Sequence, residues 1–583
     1  MIDMPEAGKI LDRALSSGII SSMALPNTFG KVVDKGTREF LSCLFEKIFD
    51  GSGFLQPAVD PTAVFFLRQV LYLAKKVRKE CSNATILAEV EEFVRTDYRL
   101  RNPSLGWDSN TLHIGDRHLS FEQTHNRNPD LFGYDPIEVP RPLLRALDQV
   151  CGVVFSQFPI LDWREVIPRH GPGAVADLRV GEDKYLFPHW PDKLEGTFPY
   201  AYFAQHTEDL WCYESRNPSL NEPPARLLAV PKTLKGPRLI ASEPIAHQFL
   251  QQGMMKWIRE NLPLPLRNCI DFKSQVPSRQ MCLIASRVGD LATVDLSSAS
   301  DRLSCWTVER ALRVNPPLLH ALHACRTRWL VNATKSGERF FIKLKKFAAQ
   351  GAAVTFPVQS MIYACMSMAA LAYERNLTVN RKTVLKLSRE VRVFGDDIIM
   401  PSCAVHSLVL LMGHCDLKVN ASKTHYRGHF RESCGMDAFC GEDVTPLYIR
   451  ALDPGSNAAD LVSWVDVINN AYSKGLWHLS DTMIQKIPAR IRKLIPVTNQ
   501  DLGILSLRSF QPCLIGGKRR FSTTLHRLEV LGLSAKALAV RRRRENHQNL
   551  LQYFLDRPSQ EINWSSGYLV KTRLTLVKRW VPA

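Results

Sequence analysis

The chain has 583 residues, with 75 Lys and Arg against 57 Asp and Glu, for a formal net charge of +18. Hydrophobic residues make up 45% and charged residues 23%, which is ordinary globular composition and excludes wholesale disorder. At about 150 residues per domain, this length predicts roughly four units or one large multi-lobed body. The basic excess is too large for a typical small-molecule enzyme and points to a polyanionic partner, nucleic acid or an anionic membrane surface.

Asp3 and Glu6 stand where a signal peptide needs positive charge, so no export signal is expected. The most apolar stretch, 357–373, holds Gln359, Ser360 and Ser367 and falls short of a membrane span of ~20 residues. No membrane insertion is therefore expected. The 14 cysteines, scattered from Cys43 to Cys513, form no C-x-x-C pair. They predict free thiols in a reducing cytosol rather than a zinc knuckle or a redox motif.

Residues 1–115 predict mostly helix. Phe65, Phe66, Leu67, Val70, Leu71 and Leu73 form an apolar stretch, and Lys75, Lys76, Arg78 and Lys79 follow as a solvated helix face. Residues 116–225 are rich in Pro, Gly, His and Trp, with a turn-like Arg169-His170-Gly171-Pro172-Gly173, and predict loops and short strands without long helices. Residues 226–290 alternate basic, apolar and Pro/Gly positions. Residues 451–583 predict helices ending in a basic tail, with the runs Lys518-Arg519-Arg520 and Arg541-Arg542-Arg543-Arg544. No internal repeat or low-complexity linker is present.

The chemistry lies in 291–450. In Glu390–Pro401, apolar β-branched segments flank Gly395-Asp396, which predicts a tight hairpin with Asp396 at its tip and Asp397 beginning the second strand. Adjacent carboxylates on such a turn repel each other unless a cation sits between them. Upstream, Leu291–Val294 predicts a short strand ending at Asp295. Small residues follow, then an amphipathic helix carrying Leu303, Trp306, Val308 and Leu312, with Ser298-x-x-Asp301 as its capping box. That box gives Asp301 a structural explanation, whereas Asp295 has none. A strand-end carboxylate beside a hairpin-tip carboxylate is an arrangement that holds two Mg²⁺ ions about 3.5–4 Å apart for phosphoryl transfer.

Three segments, around Asp295, at Gly351-Ala352-Ala353-Val354-Thr355-Phe356-Pro357-Val358-Gln359-Ser360 and at Phe394-Gly395-Asp396-Asp397, come in the order of palm motifs A, B and C of viral RNA-dependent RNA polymerases. Val419-Asn420-Ala421-Ser422-Lys423-Thr424, Phe430-Arg431-Glu432-Ser433-Cys434-Gly435 and Asp443–Arg450 continue the series. Together they resemble the replicase catalytic (beta) subunit of positive-strand RNA bacteriophages, the group containing Q-beta and MS2. The resemblance covers about 226–450, with flanks that agree in length and charge.

The resemblance implies an α+β right-hand polymerase. Residues 1–115 would be an N-terminal helical extension with fingers, 116–285 fingers with a basic NTP-binding motif, 286–450 a palm of antiparallel sheet backed by helices, and 451–583 a thumb and basic C-terminal region. It also implies site roles. Asp295, Asp396 and Asp397 would bind metal, with the Leu296 carbonyl as an additional ligand, and Lys423 would be a general acid near the pyrophosphate. Lys232, Lys235 and Arg238 would neutralise the triphosphate. Asp301, Gly351, Thr355, Gln359 and Ser360 would seat the nucleotide and its ribose, and Arg431 and Ser433 would lie near the RNA 3′ end. The implied cofactors are two Mg²⁺ ions, with Mn²⁺ or Ca²⁺ as substitutes. The implied partners are single-stranded RNA template and product, NTPs, host elongation factors Tu and Ts and a host ribosomal protein, in the cytoplasm of the bacterial host. Two departures bear on sugar choice: Asp295 and Asp301 are one residue farther apart than in many RNA polymerases, and Gln359 and Ser360 stand where many carry Asn. A reverse-transcriptase-like polymerase and a non-catalytic basic RNA-binding or packaging protein remain alternatives on the residues alone.

Overall fold

The structure, a computed structural model, describes residues 4–17, 35–51, 54–77, 81–115, 119–122, 138–171, 173–177, 184–185, 187–204, 219–233, 236–334, 339–455, 457–542 and 568–583. The N-terminal segment is helical as its pattern predicts, with α1 (Met4–Ser17), α2 (Lys35–Glu46), α3 (Pro61–Tyr72) and α4 (Asn83–Arg99). Asp60 starts α3 by accepting from the Thr62 N–H at 2.8 Å, and Pro61 supplies a ready-set φ. Ala7, Leu11 and Leu15 share one face of α1, and Val64, Leu67 and Leu71 one face of α3. Both faces bury against Phe430, Phe439 and Val444 from far along the chain. The first half of the basic run after α3 does not continue the helix. Lys75 and Lys76 lie beyond the helix end over the rings of Tyr72 and Tyr448, at 4.3 and 3.9 Å, while Arg78 and Lys79 fall outside the described residues.

The stretch 116–225 departs from its expectation. Its α5 (Arg141–Phe155) runs for 15 residues, because Leu143, Leu144, Leu147, Val150, Cys151 and Val154 recur at helical spacing and are buried. Pro142, in the first turn, replaces an N–H that would have no partner in any case. Next come the hairpin of β1 (Ala225–Pro231) and β2 (Pro237–Ser242), then α6 (Ile245–Glu260) and α7 (Val276–Val288). β3 (Leu291–Val294) and the short β4 (Leu296–Ser297) lead into α8 (Ala299–Arg302) and α9 (Cys305–Leu312).

The predicted capping box at this point is not formed. Ser298 adopts φ +51 and makes no side-chain cap bond. Ser304 caps α9 instead, accepting from the Thr307 N–H at 3.2 Å. The single predicted helix is thus two with a break at Leu303, although Leu303, Trp306, Val308 and Leu312 are all buried.

β5 (Trp329–Asn332) and β6 (Phe341–Lys343) extend the first hairpin into a sheet of order β2-β1-β5-β6. Helix α10 (Thr355–Glu374) has 20 residues and is long and apolar enough to cross a membrane by length and composition, longer than the 357–373 stretch suggests. It is almost wholly buried inside the protein, as a helix apolar on every side is at the centre of a large core. One side of it faces β7 (Arg392–Phe394) and β8 (Asp397–Pro401), which with β3 make an antiparallel sheet of order β3-β8-β7. After α11 (Val405–His414), β9 (Lys418–Val419) pairs with β4, and β10 (Phe430–Ser433), β11 (Met436–Phe439) and β12 (Glu442–Asp443) form a meander.

The C-terminal part, predicted to be helices, turns to strands after its first helices. After α12 (Ala458–Ser473) and α13 (Trp477–Lys486) come the sheet of β13 (Val497–Thr498), β14 (Leu507–Arg508) and β15 (Leu514–Ile515), then β16 (Lys518–Ser522), β17 (Arg527–Arg542) and β18 (Tyr568–Pro582). β17 and β18 pair from Glu529↔Pro582 to Arg542↔Tyr568. Lys518-Arg519-Arg520 therefore lies on a strand, Arg541 and Arg542 end β17, and Arg543 and Arg544 fall outside the described residues. The mixture of helix and largely antiparallel sheet is compatible with an α+β class. Every described cysteine is a free thiol.

The end of β3 is tied down by His425, whose backbone exchanges both hydrogen bonds with Thr293, at 2.9 and 2.8 Å. The His425 ring lies 2.5 Å from the Ser16 hydroxyl of α1 and edge-on to Phe430. Burial, helped by Arg431 and Arg68, lowers its pKa to about 3. An unfolded histidine titrates near 6.5, so this neutral ring stabilises the fold fully above pH ~6.5, and the contribution is lost as pH falls toward the folded value. We expect the difference in unfolding free energy between wild type and His425→Gln to narrow by about 2 kcal/mol between pH 7.5 and pH 5, at about 1.4 kcal/mol per unit. Urea unfolding at both pH values measures it; a difference that stays constant would mean the ring is not held neutral.

Candidate active site

Val294 pairs with Ile398 in the β3–β8 ladder, and Phe394 pairs with Asp397 at the head of the β7–β8 hairpin. Asp295 and Asp397 are therefore the next positions of two neighbouring strands, at the same end of the sheet, and Asp396 stands exposed on the turn between β7 and β8. Gly395 makes that turn possible, with φ +66 and no space for a side chain. A Cβ there would come 2.9 Å from the Phe356 ring and 3.2 Å from the Gln359 amide nitrogen. The turn is fastened to α10 by Ser360, whose hydroxyl accepts from the Gly395 N–H at 3.0 Å and donates to the Phe356 carbonyl at 2.7 Å.

The electrostatics follow from this crowding. Burial, then repulsion from Asp396 and Asp295, raises the Asp397 pKa to about 7. Burial also raises Asp295, to about 6, with Lys423 opposing and Asp396 and Glu432 reinforcing. Asp295 Oδ2 lies 3.4 Å from Lys423 Nζ and accepts from Asn420 Nδ2 at 3.0 Å. Lys423 also stands 4.0 Å from Glu432. Burial works against its charge, but Glu432 and Asp295 outweigh that and hold the lysine protonated, its pKa raised. Asp397 Oδ2 accepts from the backbone N–H of Cys434, at 3.2 Å, on the β10–β11 turn.

The other residues singled out from sequence divide into those that face this cluster and those that do not. Lys232, just past β1, is lowered by burial and then by Arg238 and Lys423, and feels the opposing charges of Asp396 and Asp295. The Lys232 end of the hairpin therefore lies near enough to the carboxylates to feel their charge; Arg238 is exposed on β2 and Lys235 lies outside the described residues. Leu296 pairs with Val419, and the carbonyl of neighbouring Asp295 accepts from the Asn420 N–H at 2.8 Å. Asp301 is held by the buried Lys346, at 3.2 Å. Gly351 passes so close to β2 that a Cβ would overlap the Ala241 carbonyl oxygen at 2.0 Å, and its φ is +124, which makes it a packing necessity. Thr355 begins α10 and donates to the Ala349 carbonyl at 2.9 Å. Gln359 is buried beside the turn, and its side-chain oxygen has no hydrogen-bond partner among the described residues.

Arg431 does not face the site. Its fully buried guanidinium donates to the carbonyls of Gly289, Leu291, Arg427, Gly428 and Phe430, which accounts for it as packing that straps β10 to the start of β3. Ser433 is likewise buried. The residue on β10 that turns to the carboxylates is Glu432. Strand alternation carries the signal, since neighbours on a strand point to opposite faces and only one of Arg431 and Glu432 can face the cluster. Asn420, Lys346 and the Cys434 N–H were also missed. Asn420 and Cys434 lie inside quoted motifs, whereas Lys346 leaves no local pattern in the sequence.

Among the described residues no group of three or more His, Cys, Asp or Glu side chains stands ready to hold a metal ion. The donor set still fits a hard divalent ion. It offers carboxylate oxygens only, with two pKa values pushed up by burial and mutual repulsion; such a charge excess is relieved by a cation.

The class to which this stretch is similar is RNA replicase, beta-chain, whose family model matches residues 204–481. Among the relatives, the chain is 34% identical over 277 residues to the RNA-directed RNA polymerase subunit beta of Qbeta virus (strain MX1), covering 46% of this chain and 42% of that protein. It is 30% identical over 273 residues to the RNA-directed RNA polymerase beta chain of Enterobacteria phage fr and over 272 residues to that of Escherichia phage MS2, covering 45% of each. The matched stretch thus spans less than half the length of these relatives, and the likeness drawn from the motifs to replicase beta chains holds.

The contacts of Ser360 predict what its loss does. Ser360→Ala would leave the buried Gly395 N–H unpaired and cost about 1–3 kcal/mol of stability. Denaturant unfolding of the variant beside wild type measures it, and unchanged stability would mean that the bond does not fasten the turn.

Proposed function

We propose that this chain is an RNA-directed RNA polymerase that copies a positive-strand RNA phage genome. The observation that carries the proposal is the placement of Asp295, Asp396 and Asp397 at one end of the β3-β8-β7 sheet, within a stretch that matches replicase beta chains. In this reading the sheet with α10 is the palm, at 286–450. The basic β1–β2 hairpin belongs to the fingers before 286, and 451–583 is the thumb.

Bound at the three carboxylates, a pair of divalent metal ions, Mg²⁺ by the chemistry of the donors, would supply the charge neutralisation and 3′-hydroxyl activation that nucleotidyl transfer needs. The chain's own residues do the rest. Asp295 and Asp397 hold their carboxylates in fixed register, Asn420 orients Asp295, and the Cys434 N–H orients Asp397. Lys232, which feels the charges of Asp396 and Asp295, and Arg238 beside it would meet the triphosphate. Lys423 keeps its proton beside Asp295 and Glu432, as a group must that is to protonate a leaving pyrophosphate.

A cavity of about 770 Å³ opens from Gly435, next to the turn that holds Asp397, toward α12 and β14. Lys76, Arg279, Arg450, Lys474 and Arg508 line it, and such a groove suits an RNA backbone. Template and product RNA and NTPs are the partners this reading requires. Host elongation factors Tu and Ts, a host ribosomal protein and a place in the bacterial cytoplasm belong to the same proposal.

Two experiments test it. RNA synthesis by the purified full chain on a defined RNA template, with and without a bacterial lysate, should be Mg²⁺-dependent and use NTPs. Dominant dNTP use would make it a reverse transcriptase, and no incorporation under either condition would reduce it to an RNA-binding protein. Asp396→Asn should lower incorporation at least about a hundredfold, beyond what loss of an outer partner costs, while RNA binding, spread over many phosphate contacts, changes little. A gel-shift titration beside the incorporation assay reads both.

A further inference from the structure

The N-terminal helices reach the catalytic carboxylates through one buried arginine. Arg68 on α3 is almost completely buried and ion-paired to Asp12 of α1 on one side and to Asp437 of β11 on the other. Its Nε donates to the Val444 carbonyl at 3.1 Å, and its guanidinium lies 4.8 Å from the Phe430 ring and 5.0 Å from the Tyr72 ring. The Tyr72 hydroxyl donates to Asp12 at 2.6 Å. A planar fork held between two carboxylates and two rings fixes both flanking elements in position and angle.

What Arg68 fixes on the far side is the β10–β11 hairpin. Asp437 pairs directly with Glu432 across that hairpin, and Ser433 pairs with Met436. The turn between them is Cys434-Gly435, at φ +51 and +75. That turn presents the Cys434 N–H to Asp397 at 3.2 Å. From Arg68 to Asp397 the chain of contact is therefore short and built of a buried ion pair, a strand pair and a hydrogen bond. Asp12 and Arg68 lie outside the stretch 204–481 that matches the replicase family.

We propose that Arg68 is a positioning residue for the metal-binding carboxylates, acting through Asp437 and the Cys434 turn on the orientation of Asp397. The N-terminal helical segment is then part of the catalytic apparatus and not an appendage. Groups that orient a metal ligand typically set metal affinity by about tenfold or more, so the device should be read in metal dependence and not in nucleotide binding. The metal sensitivity of activity rests on the polymerase reading above; direct ion binding does not.

The test compares Asp437→Asn, Arg68→Lys and Asp12→Asn in the full chain. Mn²⁺ binding is followed by electron paramagnetic resonance without RNA, alongside the Mg²⁺ concentration for half-maximal incorporation, the KM for NTP and thermal unfolding. Asp437→Asn and Arg68→Lys should each weaken Mn²⁺ binding and raise the Mg²⁺ requirement by about tenfold, with KM for NTP little changed. Asp12→Asn breaks a comparable buried pair on the side away from the hairpin, and should lower the melting temperature while leaving Mn²⁺ binding as in wild type. Equal losses of melting temperature in all three with unaltered Mn²⁺ binding would overturn the proposal and make Arg68 a packing residue. Should Asp437→Asn fail to fold, Arg68→Lys, which keeps the charge and loses only the fork, carries the comparison. A wild type that binds Mn²⁺ but makes no RNA would sink the polymerase reading alone.

Discussion

Everything in this fold that bears on chemistry depends on the pairing register of two short strands. A slip of one residue between β3 and β8 would send Asp295 or Asp397 to the other side of the sheet, because side chains alternate with a period of two. The register is secured from several directions. Pro401 and Ile398 bound the ladder against Leu291 and Val294, Thr293 is clasped by His425, and Arg431 gathers the carbonyls of Gly289 and Leu291 at the start of β3. These are backbone constraints, and they hold in place side chains that repel one another. The raised pKa values of Asp295 and Asp397 express the electrostatic cost of bringing carboxylates together in a partly buried site.

The site was legible in the sequence to the extent that its chemistry is local. Gly395 between β-branched runs predicts the hairpin, and an acid at a strand end predicts the partner strand. The Ser298–Asp301 spacing misled because Ser298 adopts a left-handed backbone that no spacing rule reports, and Ser304 provides the cap instead. Arg431, which the resemblance put near the RNA 3′ end, is taken up by backbone carbonyls, which a planar guanidinium can collect several at a time.

Outside the site, composition averaged over long windows concealed order. Helix α5 was hidden by the Pro, Gly and His of its neighbours, although its own apolar positions recur at helical spacing. The C-terminal strands were hidden because Leu531, Leu533, Ala535 and Ala537 read equally well as helix or strand, and only pairing with Lys578, Trp580 and their neighbours decides between them. The long-range ties, Arg68 to Asp437 and Ser16 to His425, span hundreds of residues and leave no trace in any window.

Helix α10 has a consequence of its own. Thr355, Ser360 and Tyr363 bond respectively to the Ala349 carbonyl, the Gly395 amide and the Ala299 carbonyl, so three separate segments are referenced to a single rod within about two turns. Each helical residue advances the azimuth by about 100°. One residue gained or lost between 355 and 363 would therefore swing one of these anchors by more than a quarter turn, off its partner, whereas the same change in a surface loop would be absorbed. This part of the chain works as a ruler, and its graduation is the reason its length, more than the identity of many of its side chains, is bound to stay constant.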